Sequence, residues 1–366
     1  MTPAAAGEID LAALRERDPC GLLDGVDRAV VWQVPVRTRF RGLTGRDGVL
    51  LHGPAGWGEV APFWDYDAEA SAPWLASALE QAVTGYADLP VHRDPVPVNV
   101  TVPEVDGERA RALVLASGAT TAKVKVGGAR AATDPASALD ADLRRLAAVR
   151  DALGPEGRVR IDVNGAWDLA IALRLLPRMD EAAGGLEYAE QPCARAEDLA
   201  ALRARVDVPL AADESVRLSD DPLAVRRLGA ADVVVLKVAP LGGVRRALAL
   251  AERLALPAVV SSALDTSVGI GAGVALAAAL PDLSHACGLG TVALLGADVA
   301  APSCLPAAGL LPVMRPQVSQ ERIEAVRADG GLTARWQTRL AQVLTALGAR
   351  RARESEGAEP VAGVPL

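Results

Sequence analysis

Three lysines stand apart in this sequence because arginine supplies almost every other positive charge. The chain has 38 Lys and Arg residues, and only Lys123, Lys125 and Lys237 are lysines. Arginine keeps its proton near neutral pH, whereas a lysine in a buried, charged site can lose it. Lys123 and Lys125 are two residues apart in TTAKVKVGG, so they share one face of a predicted strand, and Lys237 interrupts the apolar run VVVLKVAP. The pattern predicts a site that needs titratable amines.

Three carboxylates follow predicted strands in the same part of the chain. Asp162, Glu190 and Asp213 lie in RVRIDVNG, GLEYAEQP and PLAADES. Oxygen ligands without a nearby His or Cys suit Mg²⁺, with Mn²⁺ as the alternative. An ordinary ion pair would explain one such acid, but three acids facing lysines favour a metal site. A divalent cation beside a lysine suits removal of a proton from the carbon next to a carboxylate, because the cation stabilises the resulting enediolate.

A regular alternation of short β-branched runs and longer helical segments positions these residues. The eight runs are PVNVTV, AKVKVG, RVRIDVNG, GLEYAEQP, PLAADES, DVVVLKVAP, AVVSSALD and HACGLGT. The charged candidates lie at or near the C-terminal ends of the runs, which is where a barrel carries its active site. The sequence therefore predicts an α/β fold with a (β/α)8 TIM-type barrel. A doubly wound open sheet is the alternative, but no G-x-G-x-x-G motif follows a strand.

Residues outside the alternation predict a second unit. RAVVWQVPVRTRFRG and GVLLHGPAGWGEVAPF read as antiparallel strands joined through TGRDG, and DAEASAPWLASALEQAV reads as a helix. We expect an α+β capping domain over residues 1–94, the barrel over 95–317, and a C-terminal helical segment over 318–366 that returns to the cap. The last residues are predicted to be disordered.

Composition excludes several classes of protein. The net charge of −8 argues against a nucleic-acid binder, which would carry a basic patch. Four scattered cysteines without a C-x-x-C pair argue against a zinc site or a disulfide framework. The N-terminus lacks an apolar signal region, and the apolar stretch over residues 268–280 is predicted to be a buried helix too short to span a bilayer. We expect a cytoplasmic protein that binds a small-molecule carboxylate, with its oligomeric state open and a monomer included.

The candidate residues form a set of motifs that resembles one family. These motifs are K-x-K at Lys123 and Lys125, D-x-N at Asp162 and Asn164, E-Q-P at Glu190, D-E-S at Asp213, and the sixth-strand Lys237. Together they resemble the muconate-lactonising subgroup of the enolase superfamily, as does the segment WGEVAPF. Within that subgroup, GWGEVAPFWDYD, SSALDTSVGIGAG and GLGTVALLGADV resemble actinobacterial members that act in menaquinone biosynthesis.

The resemblance implies a reaction and a role for each lysine. The reaction is the syn dehydration of 2-succinyl-6-hydroxy-2,4-cyclohexadiene-1-carboxylate to 2-succinylbenzoate. Lys125 is expected to remove the proton next to the carboxylate and return it to the departing hydroxyl. Lys237 is expected to stabilise the intermediate through a cation–π contact. Lys123 is expected to help Lys125 release its proton.

The same resemblance implies several supporting residues. Asn164 and Glu214 resemble groups that surround the metal ligands. Ser262 is expected to contact the succinyl carboxylate of the substrate, as are cap residues within 39–44.

Other activities are compatible with part of the pattern. An N-acylamino-acid racemase uses the same lysines and metal, with the two lysines acting as acid and base on opposite faces, and one protein can have both activities. Dipeptide epimerases resemble the chain less, since they have an acidic D-x-D at the eighth strand, where this chain reads GLGT. Muconate cycloisomerases also have an eighth-strand acid that this sequence lacks. A metal-free barrel that forms a Schiff base on a lysine and a non-catalytic binding barrel are the remaining alternatives.

Overall fold

The cap is an antiparallel sheet with a helix beside it, in a computed structural model that describes residues 6–40, 42–128 and 135–357. Its elements are α1 Leu11–Arg15, β1 Arg28–Phe40, β2 Leu43–Gly53, β3 Gly56–Val60 and α2 Ala68–Leu79, followed by a π-helical turn over Glu80–Thr84. β2 is the central strand and pairs with β1 and β3. The antiparallel strands and the helix were predicted.

The prediction that TGRDG joins two strands was wrong, because this segment lies inside β2. Gly48 serves close packing there: an added Cβ would lie 2.7 Å from the Cβ of Ala61. The side chain of Arg46 in the same segment is buried. The second hairpin turns at residues 54–55, so GVLLHGPAGWGEVAPF contains two strands.

The second unit is a curled sheet of seven parallel strands within the described residues, and its strands alternate with helices. The first half of this unit begins with β4 Val96–Pro97, which lies outside the parallel sheet. It continues with β5 Val100–Val102, α3 Gly107–Ser117, β6 Thr121–Lys125, α4 Pro135–Leu153, β7 Arg158–Asp162, α5 Leu169–Ala183, β8 Leu186–Glu190 and α6 Ala196–Arg203. Its second half contains β9 Leu210–Ala212, α7 Glu214–Arg217, α8 Ala224–Arg227, β10 Val233–Lys237, α9 Val238–Leu241, α10 Val244–Leu254, β11 Ala258–Ser261 and α11 Ser267–Ala279, followed by a 3-10 turn over Thr291–Leu294. From β5 to β11, neighbours in the sheet are also neighbours in the chain.

Two residues close the sheet into a barrel. Cys287 forms a parallel bridge with Val98, just before β5, and Gly288 forms one with Ser261 at the end of β11. The predicted eighth strand, HACGLGT, is therefore reduced to this short bridge. The barrel fold was predicted, whereas the brevity of its last strand was not.

Each strand has one face toward the barrel interior and one toward the surrounding helices, and this determines where the candidate side chains project. Tyr188, Val233, Val235 and Val259 belong to a small buried cluster that is separate from the large core between the sheet and its helices. Side chains two residues apart on a strand share a face. Lys237 therefore projects on the same face as Val233 and Val235, at the C-terminal end of β10.

The last elements are β12 Leu310–Leu311, which pairs antiparallel with β4 in a separate two-stranded sheet, and two helices, α12 Gln320–Val326 and α13 Gly330–Ser355. α13 packs against α2, and its buried Trp336, Leu340 and Leu344 belong to the cap's hydrophobic core. The tail predicted to be disordered includes residues 358–366, which lie outside the described residues. None of the helices in the described part of the chain combines the length and apolar character needed to cross a bilayer. The apolar stretch near residue 270 forms the buried α11, as predicted.

Candidate active site

The ends of successive parallel strands bring the charged candidates to one mouth of the barrel. Lys125 and Asp162 are the last residues of β6 and β7 and are paired in register, as are Asp162 and Glu190 at the end of β8. Asp213 directly follows β9, and Lys237 is the last residue of β10. The alternation of strands and helices thus brings five residues that are distant in the sequence to neighbouring strand ends.

Lys123 lies between two of the carboxylates. Its Nζ donates to Glu190 at 3.2 Å from Oε1 and 3.1 Å from Oε2, and it lies 3.3 Å from Oδ2 of Asp162. All three side chains are buried. A buried lysine requires such partners, since an unpaired ammonium in the barrel interior would be costly.

Lys125 contacts Asp162 as well, together with Asn164. Its Nζ donates to Asp162 Oδ2 at 2.5 Å and to Asn164 Oδ1 at 2.8 Å. Asn164 has a left-handed backbone, with φ of 52°, and its N–H donates to the other carboxylate oxygen of Asp162 at 3.1 Å. Its side-chain amide also donates to Glu214 at 3.2 Å. Asn164 therefore joins Lys125, Asp162 and Glu214 into one network.

Lys237 occupies the opposite part of the mouth, beside the third carboxylate. Its Nζ donates to Oδ2 of Asp213 at 2.5 Å. Oδ1 of Asp213 accepts from the Nε of Arg217 at 2.9 Å. Arg217 also donates to Glu214 at 2.6 Å and to the hydroxyl of Tyr66 at 2.7 Å. A cap residue is thereby connected to a strand-end carboxylate.

Burial raises the pKa of these carboxyl groups, and the neighbouring lysine charges lower it. Burial disfavours ionisation of Asp162, but the charges of Lys125, Lys123 and Lys237 outweigh it and hold the pKa well below its usual range. Burial, followed by the negative charge of Asp162, raises the pKa of Glu190 to about 7. Mutual repulsion of this kind indicates carboxylates crowded into one low-dielectric space.

Asp213 and Lys123 show the same balance. Burial raises the pKa of Asp213, but Arg217 and Lys237 outweigh it and lower the value to about 2. Burial disfavours the charged form of Lys123, yet Glu190 and Asp162 together raise the pKa of this ammonium above its ordinary value. Its positive charge is therefore held in place by the two acids.

The donor set fits a hard divalent cation in its chemistry. Asp162 and Asp213 each have one oxygen fixed by an N–H donor and the other oxygen on a lysine ammonium. As the side chains stand, no group of three or more acidic, His or Cys side chains in the described part of the chain is placed to hold a metal ion. The lysine ammonium groups occupy the space between the carboxylates. The oxygens that face them are the ones that a cation would use.

A cavity above these groups has walls from both units. Phe63 and Trp74 of the cap line it, together with Ser262, Leu264 and Thr291 of the barrel loops. The hydroxyl of Ser262 donates to the carbonyl of Gly288 at 2.6 Å and lies 2.8 Å from the Thr291 hydroxyl. The Ser262 proton is thus engaged by the protein, so a contact with a substrate carboxylate requires this hydroxyl to rotate. The predicted contacts within 39–44 fall partly on residue 41 and on the side chains of residues 39 and 40, which lie outside the described part.

The structure adds residues that the sequence analysis did not single out as site residues. Arg217 lies four residues after Asp213, a spacing typical of a helical ion pair, and that spacing was the available signal. Gln191 is fully buried, with φ of 42°, and its side-chain oxygen accepts from the N–H groups of Asp213 and Ser215. Tyr66 gave no signal, because its role depends on how the cap packs on the barrel.

Comparison with known proteins agrees with this architecture. The family described as "Enolase C-terminal domain-like" matches residues 106–317, and "Enolase N-terminal domain-like" matches residues 31–82. The chain is 56% identical over 308 residues to o-succinylbenzoate synthase of Thermobifida fusca, covering 84% of this chain and 93% of that protein. It is 50% identical over 304 residues to o-succinylbenzoate synthase of Mycobacterium tuberculosis, covering 83% of this chain and 89% of that one.

Solved structures show the same fold at lower identity. The muconate lactonizing enzyme of Pseudomonas fluorescens superposes with a TM-score of 0.68 at 24% identity, covering 82% of this chain and 97% of that chain. The N-succinyl Arg/Lys racemase of Bacillus cereus gives a TM-score of 0.67 at 18% identity, with coverage of 82% and 96%.

Proposed function

This chain belongs to the enolase superfamily, and we propose that it catalyses the reaction after which its bacterial relatives are named, the formation of o-succinylbenzoate. It is a carbon–oxygen lyase that removes water from its substrate. The substrate is 2-succinyl-6-hydroxy-2,4-cyclohexadiene-1-carboxylate, and loss of water makes its ring aromatic. The observation that supports this assignment best is the 56% identity, over 84% of this chain, to the o-succinylbenzoate synthase of Thermobifida fusca. Lys125 and Lys237 line one cavity, and the three strands between theirs carry the carboxylates, an arrangement that suits the chemistry and that the racemase alternative shares.

Lys125 is the residue best placed to move a proton. Its side chain is 16% exposed, against 7% for Lys123 and 10% for Lys237, so it is the most accessible of the three lysines that line the cavity. In its neutral form Lys125 takes the proton from the carbon next to the substrate carboxylate. The carbon–oxygen bond to the hydroxyl then breaks, and the same ammonium gives its proton to the departing oxygen. Proton and hydroxyl leave from one face of the ring, and the chain's own residues are unchanged at the end.

Lys237 keeps its positive charge on the other side of the substrate. A charged ammonium there stabilises the negative charge that spreads over the ring in the intermediate. Lys123, held by Glu190 and Asp162, adds positive charge close to Lys125.

We also propose Mg²⁺ as the cofactor, bound by Asp162, Glu190 and Asp213. When bound, the cation balances the three carboxylates and stabilises the negative charge of the enediolate. Asn164 and Arg217 support this assignment, because each fixes one oxygen of a proposed ligand and leaves the other facing the lysines. We further propose a cytoplasmic location.

The test is to incubate the purified protein with the cyclohexadiene substrate and Mg²⁺ and to follow the aromatic product by absorbance and chromatography. We expect turnover that stops on addition of EDTA and returns with excess Mg²⁺. A parallel incubation with an N-succinylamino acid measures racemisation. Fast racemisation without aromatic product would show that the racemase alternative is correct, and an adduct trapped by borohydride without metal would show a Schiff-base enzyme.

A further inference from the structure

One loop of the barrel is held from outside by the cap. Residues 262–266 connect β11 to α11, and Ser262, Ala263 and Leu264 of this loop line the cavity that contains the lysines. Leu264 has φ of 63°, a left-handed conformation that leucine seldom adopts, and its side chain is buried. Such a backbone persists only where its surroundings hold it.

Arg46 of β2 is the cap residue that reaches the carbonyl side of this loop. Its Nε donates to the carbonyl of Leu264 at 3.2 Å, and its Nη2 lies 3.4 Å from the carbonyl of Ala263. Nη2 also donates to the carbonyl of Ala61 in the cap. The guanidinium lies 4.4 Å from the ring centroid of Phe63, which itself lines the cavity. Only 3% of Arg46 is exposed, so the side chain serves the interior of the protein.

Glu59 of β3 holds the other end of the same loop. Its carboxylate accepts from the N–H and the hydroxyl of Thr266 and from the N–H of Gly269 at 3.1 Å. Gly269 permits this approach, because an added Cβ would lie 2.7 Å from the Cβ of Asp265 and 3.3 Å from an oxygen of Glu59. Asp265 closes the loop from within by accepting from the N–H of Ala263 at 2.9 Å. Side chains of the cap therefore hold the loop at residues 263 and 264 and at its junction with α11.

The loop lies beside Lys237 and away from the other groups proposed to carry the chemistry. Ser261, which precedes it, pairs in register with Lys237, whereas Lys123, Lys125 and the metal-binding acids lie on β6 to β9. A substrate whose carboxylate faces those acids would direct its remaining part toward the loop, Phe63 and Thr291. The loop thus shapes the part of the cavity that binds the non-reacting arm.

We propose that Arg46 is a positioning residue that sets substrate specificity by fixing the backbone of residues 263 and 264 against the non-reacting arm of the substrate. This inference deepens the proposed function and rests on it. Arg46 touches no reacting atom, so its loss weakens binding of the substrate more than it slows the chemical step. A role in cap docking alone would lower stability without changing affinity in the protein that remains folded.

The experiment compares Arg46→Lys and Arg46→Met with the wild-type protein. The Arg46→Lys variant keeps the charge but loses the planar fork that reaches several carbonyls, and Arg46→Met removes the charge as well. Arg37→Lys is the matched control, since Arg37 is an exposed cap arginine that donates to the carbonyl of Leu295, outside the cavity lining. Near-ultraviolet circular dichroism and thermal unfolding establish that each variant is folded at the assay temperature.

Two measurements are made on each folded variant. Steady-state kinetics gives kcat and KM for the cyclohexadiene substrate, and calorimetry gives the Kd of the product, o-succinylbenzoate. We expect KM and the product Kd to rise about 10-fold in both Arg46 variants, with kcat changed less than about 3-fold. The reason is that the loop binds the non-reacting arm equally well in the ground state and in the transition state. The Arg37→Lys variant should match the wild type in all three quantities.

The outcomes separate the inference from the function on which it rests. Unchanged KM and product Kd in a folded Arg46→Lys variant would overturn the inference while leaving the activity established. A fall in kcat at constant KM would also overturn it, since Arg46 would then act on the chemical step. If the wild-type protein itself makes no aromatic product, the proposed function fails and the inference fails with it.

Discussion

Arg217 offers a sharp test of how the proposed metal ligands are held. Its guanidinium makes three hydrogen bonds, to Asp213 at 2.9 Å, Glu214 at 2.6 Å and the Tyr66 hydroxyl at 2.7 Å. Lysine has a single nitrogen and cannot span these three acceptors. In Arg217→Lys, the positive charge remains but the Asp213 oxygen on this side loses its fixed donor.

The size of the effect follows from these contacts. Asp213 is fully buried, so a carboxylate oxygen without its donor has no water to replace it. Loss of an outer partner of a metal ligand costs about 10-fold to 100-fold in metal affinity. This range corresponds to about 1.4 to 2.7 kcal/mol of binding free energy. Glu214 keeps its contact with Asn164, so the neighbouring side chains remain ordered.

The assay titrates the metal-depleted protein with Mg²⁺, by calorimetry and by dehydration activity at saturating substrate. We expect the Mg²⁺ concentration for half-activity to rise about 10-fold to 100-fold, with kcat at saturating Mg²⁺ reduced less than about 3-fold. Tyr66→Phe removes one of the three bonds and should shift the midpoint by only a few-fold, about 1 kcal/mol or less. Arg203→Lys is the control, because Arg203 pairs with Asp232 at a partly exposed site outside the cavity.

One result would refute this reasoning. If folded Arg217→Lys binds Mg²⁺ as tightly as the wild type, Arg217 does not organise Asp213 for a metal. A loss of kcat alone, at unchanged Mg²⁺ affinity, would instead place Arg217 on the substrate side of the site.

Three further predictions concern the base, the barrel interior and the cap. Lys125→Arg should lower kcat by about 10²-fold to 10⁴-fold in steady-state assays, because arginine cannot release its proton, and a rate above a tenth of the wild type would exclude the base role. Arg160→Met removes the buried partner that lies 2.5 Å from Glu187, which keeps its contacts with Arg158 and His285. The change should cost about 2 kcal/mol in urea unfolding, and a loss below about 0.5 kcal/mol would contradict this. Burial, and then the charge of Asp265, raises the pKa of Glu59 to about 7, so the folded protein holds a proton that the unfolded chain releases near pH 4.5. The free energy of unfolding should therefore fall by up to about 3 kcal/mol as the pH rises from 4.5 through 7. When unfolding is measured at pH 5 and pH 8, the Glu59→Gln variant should show a smaller difference between the two pH values than the wild type. An equal difference in the two proteins would refute the raised pKa of Glu59.

The sequence was informative where local periodicity and residue type agree. Strand-like runs ending in Lys125, Asp162, Glu190 and Lys237 predicted both the barrel and the mouth at which these residues meet. The reason is physical, since parallel strands joined by helices present their C-terminal ends at one edge. The division into units at residues 94 and 317 stays a prediction.

The sequence predicted the wrong local structure where the same residue types occur in more than one kind of element. TGRDG has the composition of a turn, yet its glycine at 48 is required by close packing against Ala61, and Arg46 is buried. HACGLGT has the composition of a strand, but only residues 287 and 288 pair with their neighbours. In both cases packing against distant segments decided the structure.

From the sequence by itself one can predict the barrel fold, the strand to which each lysine and carboxylate belongs, and the side of that strand on which it lies. These features follow from local periodicity. Only the tertiary structure decided which other side chains hold the site residues and the cavity loop in place. Arg217 and Tyr66 are 151 residues apart in the chain, and Arg46 and Leu264 are 218 apart. No local pattern links residues at such separations, because their contact depends on how the cap packs over the mouth of the barrel.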